Sequence, residues 1–240
     1  MHGYKRDYKN KTKFAFTLAE TLIILAIIGI VAAMTIPALI NFYTEKVTIS
    51  KVKKMNAILA EALKFAIIEN GNVDGWGYEN VGSWVSSTKN SQMLAQNLLP
   101  HLKIMKDCGF KRDCMLDVDY YMLNGKKWNT YTNVRYKYYY RIVLIDGSNL
   151  IIKAQGTNCN QKDGGDLNTC GYILYDVNGD KKPNTFGKDV FQFNILPNAI
   201  VPKREAGSGN DGNTILDYAG TDAANYIIKN GNMNYLHTKK

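Results

Sequence analysis

Residues 13–40 read KFAFTLAETLIILAIIGIVAAMTIPALI, a long apolar run with one acid, Glu20, near its start. From Thr21 to Phe42 no charged residue occurs over 22 positions, and about 20 apolar helical residues cross the hydrocarbon core of a bilayer. The run therefore predicts a membrane-spanning helix. An acid inside such a span is costly and usually has a partner, yet the neighbouring sequence is expected to offer Glu20 none. The alternative is that Glu20 lies solvated at the headgroup boundary, where an acid suits the helix dipole.

The residues before this run are basic. Residues 1–15 hold five of the thirty Lys and Arg residues and a single acid. Because a basic N-terminal flank stays in the cytoplasm, the rest of the chain is expected outside it. The formal charge of +9 is common among nucleic-acid binders, but a good part of it belongs to this flank.

The helical pattern continues beyond the apolar run. A cleaved secretory signal would instead have a shorter apolar core followed by a small-x-small site. We expect one continuous helix from about Phe16 to Glu69, ended by Asn70-Gly71, with Pro37 kinking or locally melting it. The apolar residues at amphipathic spacing are Ile49, Val52, Met55, Ile58 or Leu59, Ala62, Leu63 and Ala66.

Residues 15–40, AFTLAETLIILAIIGIVAAMTIPALI, resemble the N-terminal segment of type IV prepilins and of type II secretion pseudopilins. In that family a basic leader ends in a small residue, a glutamate is fifth after the cleavage site, and a proline is often twenty-second. With Phe16 as the first mature residue, Glu20 is fifth and Pro37 is twenty-second. The departure is Ala15, since the family usually has glycine before the cut. Alanine is also small, so we expect processing at a reduced rate.

The resemblance implies a use for Glu20. Prepilin peptidase would cleave between Ala15 and Phe16 and methylate the new amino group of Phe16. In a filament of pilin or pseudopilin subunits, the Glu20 carboxylate would face the cationic N-terminus of a neighbouring subunit. Pro37 would help the helix bend or stretch. An inner-membrane assembly platform with its ATPase would be a further partner.

The same resemblance implies a fold and a location. The expected fold class is α+β and pilin-like, in which the long N-terminal helix packs on an antiparallel β-sheet. The protein would be a single-pass protein of the inner (cytoplasmic) membrane, with its C-terminal domain outside the cytoplasm, and would enter a filament after processing. The expected segments are a cleaved basic leader (1–15), a transmembrane and assembly helix (16–42), its amphipathic continuation (43–70) and an extracytoplasmic globular domain (71–240).

The later sequence independently predicts a sheet. Asn124-Gly125 and Asp146-Gly147 are two-residue hairpin signals. We expect four or five antiparallel strands, because further alternating segments follow these turns. The remaining elements are strands in GYILYDV (171–177) and KDVFQFNIL (188–196), a helix in SQMLAQNLLPHLKIM (91–105) stopped at Pro100, and a short helix in DAANYIIKNG (222–231).

The four cysteines are Cys108, Cys114, Cys159 and Cys170. An even number of cysteines outside the cytoplasm favours two disulfides. Three pairings are open, and closeness in sequence favours Cys108 with Cys114 and Cys159 with Cys170. A zinc site is disfavoured, because neither spacing is of the two-to-four-residue type and no histidine lies near.

The segment DVNGDKKPNTFGKDVF, residues 176–191, has calcium-loop features. Asp176, Asn178 and Asp180 have alternating oxygen-ligand spacing, and Asp189 can close the site. It is no EF-hand, because the sixth position lacks glycine and the twelfth lacks glutamate. It resembles in part the calcium-binding loop before the last strands of major pseudopilins. The alternative is a polar turn; bound Ca²⁺ would order the loop and support the sheet, with no catalytic part.

A second function, a DNA-binding minor pilin of a competence or DNA-uptake machine, is suggested by YTNVRYKYYYR, residues 131–141. This segment interleaves tyrosines with basic residues, and such a strand can stack on bases and contact phosphates. Alternation instead places Tyr136, Tyr138 and Tyr140 on one face, expected to pack on the long helix. Tyr139 would then lie on the other face.

Nothing in the sequence indicates an enzyme. It contains no GxxxxGK[ST], HExxH or GxSxG motif. His2, His101 and His237 are far apart in the sequence and form no evident catalytic cluster. We expect a structural subunit, a pseudopilin or minor pilin, that requires no cofactor and can bind Ca²⁺. The size of its body favours a minor subunit.

Overall fold

A computed structural model defines the fold in two compact units, Met1–Thr44 and Glu45–Lys240. The predicted leader, residues 1–15, and Phe16 lie outside the residues that it describes. The described residues are 17–79, 86–111, 114, 119–128, 138–155, 159–162, 167–204 and 219–237.

One helix, α1, runs without a break from Leu18 to Asn70. It ends because Gly71 takes the left-handed conformation, with φ 77°, and its N–H donates to the Ile67 carbonyl at 2.8 Å. The predicted long helix and its end are therefore confirmed. Of the two effects expected at Pro37, local melting is wrong, because the loss of one backbone hydrogen bond is offset by the many cooperative turns on either side. A kink there stays a prediction.

The two parts of α1 bury their side chains differently. By length and composition the helix is able to cross a membrane. In the first unit its large apolar side chains are exposed on all sides, with 58% of Leu22, 60% of Ile23 and 65% of Leu25 accessible. In the second unit α1 buries one stripe: Thr48, Ile49, Val52, Met55, Leu59, Ala62, Leu63 and Ala66. The amphipathic spacing is thus confirmed, with Leu59 rather than Ile58 fully buried.

The second unit is built on a six-stranded antiparallel sheet, so the architecture is α+β as predicted. Its strands are β1 (Ile104–Gly109), β2 (Tyr140–Leu144), β3 (Asn149–Ala154), β6 (Gly171–Asp176), β7 (Val190–Ile195) and β8 (Ile200–Pro202). They are ordered β1-β2-β3-β6-β7-β8. A separate ribbon pairs β4 (Gln161–Lys162) with β5 (Asn168–Thr169), and two further helices are α2 (Ser86–Leu98) and α3 (Ala223–Asn230).

Both predicted hairpin turns form. At the first, Gly125 has φ 82° and Met122 N donates to the Lys126 carbonyl at 2.8 Å. At the second, Leu144 N donates to the Ser148 carbonyl at 2.9 Å, which joins β2 to β3. The sheet is larger than the expected four or five strands, because β1 and β8 add an edge on each side.

The two faces of the sheet bury different partners. On one face, Ile152, Ile173 and Phe193 belong to the same buried cluster as the stripe of α1. On the opposite face, Tyr139 and Tyr172 lie in a second cluster with residues of segment 119–128, and their hydroxyls are 3.0 Å apart. Tyr139 and Tyr140 therefore lie on opposite faces, as alternation predicts.

Both disulfides have the predicted pairing. Cys108 is joined to Cys114, with Cα atoms 5.4 Å apart, and Cys159 to Cys170, with Cα atoms 3.8 Å apart. Cys159 and Cys170 are buried in the main core, whereas Cys114 is only partly buried. With all four cysteines paired, none remains as a thiolate ligand for zinc.

Gly71→Ala is expected to lower the free energy of unfolding by about 1–2 kcal/mol, because an L residue is strained at positive φ. No atom lies within 4 Å of the position that its Cβ would take, so the loss comes from the backbone alone. Gly75→Ala is the matched control, since Gly75 has equally open surroundings without a positive φ. Urea denaturation of the two variants in detergent measures the difference; equal losses would contradict a backbone origin.

Candidate functional site

The first candidate site is the start of α1, where Thr17 and Glu20 form a capping box. Thr17 N and Oγ1 donate to Glu20 Oε2 at 2.8 and 2.9 Å, and Glu20 N donates to Thr17 Oγ1 at 3.2 Å. This reciprocal pattern is typical of a T-x-x-E sequence at a helix N-terminus. The expectation that Glu20 lacks a partner in the neighbouring sequence is therefore wrong.

The capping box leaves the charge of Glu20 available. Its donors are a neutral amide and a neutral hydroxyl, and both bonds end on the same oxygen, Oε2. The side chain is exposed in the single chain, and so are the flanking Leu18 and Leu22. An anion among apolar side chains can thus still take a cationic partner from another molecule. Ala15 and Phe16, the predicted cleavage and methylation residues, lie outside the described residues. Cleavage and methylation there stay predictions.

The second candidate site is the acidic loop, residues 176–189, which joins β6 to β7. Asp176 is the last residue of β6, and Asp189 comes directly before β7. Strand pairing brings the two ends of the loop together, because Asp176 is the register partner of Val190. Both acids are buried, with 0% of Asp176 and 5% of Asp189 exposed.

Asp189 organises the interior of the acidic loop. Its Oδ1 accepts from Thr185 N at 2.6 Å, and its Oδ2 accepts from Asn184 N at 2.8 Å and from Asn178 Nδ2 at 3.0 Å. The loop main chain therefore folds around this carboxylate. Asn184 takes φ 50°, a conformation that asparagine tolerates better than most residues.

The other predicted ligands have different partners. Asp176 Oδ2 accepts from Tyr120 Oη at 2.9 Å, and Asn178 N donates to Asp176 Oδ1 at 3.4 Å. Asp180 Oδ1 instead accepts from Asn149 Nδ2 at 3.1 Å. The structure thus brings Asp176, Asn178 and Asp189 together and leaves Asp180 at the margin. Tyr120 was not predicted, and no spacing in the sequence points to it.

Among the described residues, the hydrogen-bond partners of the two buried acids carry no positive charge. Burial raises the pKa of Asp176 to about 8, and the charge of Asp189 adds to the shift. Burial also raises the pKa of Asp189, although the backbone amides of Thr185 and Asn184 oppose this. The groups that favour the ionised form of Asp176 are the hydrogen bonds from Tyr120 and Asn178, and neither is cationic. The pair therefore favours uptake of a proton or of a metal cation.

Two amide side chains lie at the polar interior of this loop. Asn178 Oδ1 is buried without a hydrogen-bond partner. Asn184, with its amide nitrogen turned inward, donates to Asp176 Oδ2 at 3.3 Å and to the Lys181 carbonyl at 3.0 Å. The reverse orientation would place the Asn184 oxygen beside two other oxygens, which is costly unless a proton or a cation lies between them. A set of carboxylate, amide and main-chain oxygens is the kind that Ca²⁺ takes.

In the described part of the chain, the side chains of acids, histidines and cysteines alone do not form a metal site. Within the described ranges, no group of three or more of these side chains is placed to hold a metal ion. A cation at the acidic loop would therefore rely on Asn178 and on main-chain oxygens in addition to Asp176 and Asp189. Such mixed oxygen sets are usual for Ca²⁺ and unusual for zinc.

The segment proposed for DNA contact does not present an open surface in its described part, residues 138–141. Tyr139 and Arg141 are buried, and Arg141 Nη2 donates to the Phe110 carbonyl at 3.0 Å. Residues 129–137, which include Arg135 and Lys137, lie outside the described residues. The described part of this segment therefore gives DNA binding no support.

Comparisons of the chain with models of known protein families, with curated proteins and with solved structures give no match. The likeness of residues 15–40 to a prepilin segment therefore depends on these residues alone. Any function must be argued from the start of α1 and from the acidic loop.

Proposed function

We propose that the chain is a structural filament subunit, a pseudopilin or minor pilin of a type II secretion or type IV pilus system. The observation that carries the proposal is Glu20 in the first turn of α1, whose large apolar side chains in the first unit are exposed on all sides. Such a surface is stable only when lipid or other helices cover it. The spacing of Ala15, Phe16, Glu20 and Pro37 further supports processing by prepilin peptidase.

In this function Glu20 has two successive partners. Before assembly, the capping box with Thr17 orders the first turn of α1. After cleavage, the amino terminus at Phe16 of a neighbouring subunit supplies the positive charge. Removing one member of a buried ion pair costs about 3–5 kcal/mol, enough to favour one register between subunits. The proposed partners are therefore prepilin peptidase, other subunits, and an inner-membrane platform with its ATPase.

N-terminal and intact-mass analysis of the membrane-extracted protein tests the processing step. The protein should be expressed with its own secretion or pilus machinery. A chain that begins at Phe16, with or without one added methyl group, is the expected result. A chain that retains residues 1–15 would contradict the proposal and leave Glu20 as a helix cap at the membrane surface.

Glu20→Ala is expected to insert into the membrane normally but to enter filaments about a hundredfold less or worse, because the intersubunit ion pair is lost. Glu20→Gln separates the two roles of the side chain, since glutamine also closes a capping box but carries no charge. We expect the same loss for both variants. Immunoblots of sheared filaments measure incorporation, and the membrane fraction controls for insertion. Normal incorporation of Glu20→Gln would limit the residue to capping and contradict the assembly role.

We further propose that the acidic loop binds Ca²⁺, with oxygens from Asp176, Asn178 and Asp189. The ion would offset two buried negative charges and order the loop between β6 and β7. The unpartnered Asn178 Oδ1 supports this assignment. The proposed role is structural, and no reaction step is involved.

Asp176→Ala combined with Asp189→Ala is expected to abolish any rise of the melting temperature in Ca²⁺. For the wild type, a free concentration of about 100 Kd adds about 2.7 kcal/mol of stability, or roughly 5–10 °C for a domain of this size. Calorimetry in Ca²⁺ and in chelator measures the shift. Asp74→Ala, which removes an exposed acid, should keep it. No shift in the wild type would refute the calcium proposal.

A further inference from the structure

The acidic loop is attached to α1 through Lys51. Lys51 Nζ donates to the Val177 carbonyl at 3.0 Å in a partly buried contact. Val177 N in turn donates to the Asp189 carbonyl at 2.9 Å. Lys51 therefore holds the first residue after β6, at the point where the two ends of the acidic loop meet.

The other side of the acidic loop is attached to the C-terminal segment, residues 219–237. Tyr235 Oη donates to the Gly187 carbonyl at 2.6 Å. Gly220, three residues before α3, also packs closely on the loop, because a Cβ added there would lie 2.8 Å from the Phe186 carbonyl oxygen. The loop thus binds α1 on one side and the C-terminal segment on the other.

The C-terminal segment returns to α1 at Glu45. His237 Nε2 lies 2.8 Å from Glu45 Oε1. Glu45 and Lys51 are less than two helical turns apart on α1. The contacts therefore close a ring, which runs from Lys51 through the acidic loop to Tyr235 and His237 and back to Glu45.

Within the loop, the carboxylate of Asp189 connects the two attachment points. It accepts from Asn178, next to the Val177 attachment, and from Thr185, near the Gly187 attachment. Without this carboxylate, those donors lose their acceptor in a buried site, which is costly. The ring therefore depends on an ordered acidic loop.

We propose that this ring of contacts is a conformational device, in which the order of the acidic loop sets how firmly residues 45–51 of α1 are held to the C-terminal segment. Residues 45–51 are the first of the second unit. The inference goes beyond the filament and calcium proposals and depends on neither, since the chain's own residues make every contact in the ring. A change that loosens the loop should loosen this part of α1 and leave distant elements such as α2 unaffected.

Amide hydrogen exchange of the full-length chain in detergent tests the inference, because it reports local opening region by region. In Asp189→Ala, exchange in residues 45–53 and 223–237 is expected to be about tenfold faster than in the wild type, while α2, which contacts the far end of β3 at Ala154, stays within about twofold. Wild-type rates in residues 45–53 would overturn the inference.

Lys51→Met removes one contact of the ring and leaves the loop carboxylates in place. It is expected to speed exchange in residues 45–53 without changing exchange at Asn184 and Thr185. Lys54→Met, on the exposed side of the same helix, is the matched control and should change neither. If Asp189→Ala also accelerates exchange in α2, it reports global unfolding, and the result with Lys51→Met alone decides the question. Wild-type rates in Lys51→Met, or equal acceleration in Lys54→Met, would overturn the inference.

Discussion

Replacing Cys159 and Cys170 together by alanine is expected to lower the free energy of unfolding by about 3 kcal/mol, as chain entropy predicts for a loop of this length. Cys170 is fully buried, so its loss also leaves a cavity in the main core. Its backbone is fixed on both sides, because Cys170 N donates to the Ile195 carbonyl at 2.7 Å and Tyr78 Oη donates to the Cys170 carbonyl at 3.2 Å. The disulfide therefore constrains the start of β6 against the core.

Urea denaturation under oxidising conditions, followed by circular dichroism, measures this loss. Replacing Cys108 and Cys114 by alanine is the matched control, since that disulfide closes a shorter loop and one of its cysteines is only partly buried. The control should lose about 2 kcal/mol by the same entropic estimate. A larger loss for the control, or none for Cys159 and Cys170, would contradict the expectation.

In chelator, the stability of the protein is expected to fall as the pH rises from about 5 to about 8, on the order of 1.4 kcal/mol per pH unit for one proton. Burial raises the pKa of Asp176 to about 8, whereas an unfolded aspartate has lost its proton above about pH 4. The folded state therefore binds more protons over this range. The stabilisation is complete below about pH 4 and is lost as the pH rises through the folded-state pKa.

Melting temperatures in chelator at several pH values check this expectation. Asp176→Asn should remove most of the pH dependence, because the amide keeps the size of the side chain and cannot ionise. Asp180→Asn should keep the dependence, since Asp180 is more exposed and bonds to Asn149. A flat profile in the wild type, or an unchanged slope in Asp176→Asn, would refute burial of Asp176 as the cause of the pH dependence.

The elements predicted correctly from the sequence are those set by local rules. The end of α1 at Gly71 and the turn at Asp146-Gly147 need only a left-handed glycine, and both are found. The edge strand β1 was not predicted. Three consecutive residues of this strand are exposed, and its pairing with β2 contains two register shifts. Its position depends on β2 more than on its own sequence.

The candidate site likewise has contacts that can be predicted from the sequence and contacts that cannot. Asp176, Asn178 and Asp189 are brought together by a hairpin that the sequence predicts. The bonds from Tyr120 and Asn149 could not be predicted, because these residues come from segments 56 and 31 positions away. The Thr17–Glu20 pair is local, and its T-x-x-E spacing is readable from the sequence.

The buried stripe of α1 has a consequence for biogenesis. A ribosome makes Val52 and Leu59 long before β2, β3, β6 and β7, the strands that cover them. During synthesis the stripe is therefore not yet covered by the rest of the chain. An exposed apolar surface of this kind is prone to aggregation. Contacts between such distant residues also form slowly. We expect the nascent chain to need a holding chaperone until β7 has been made.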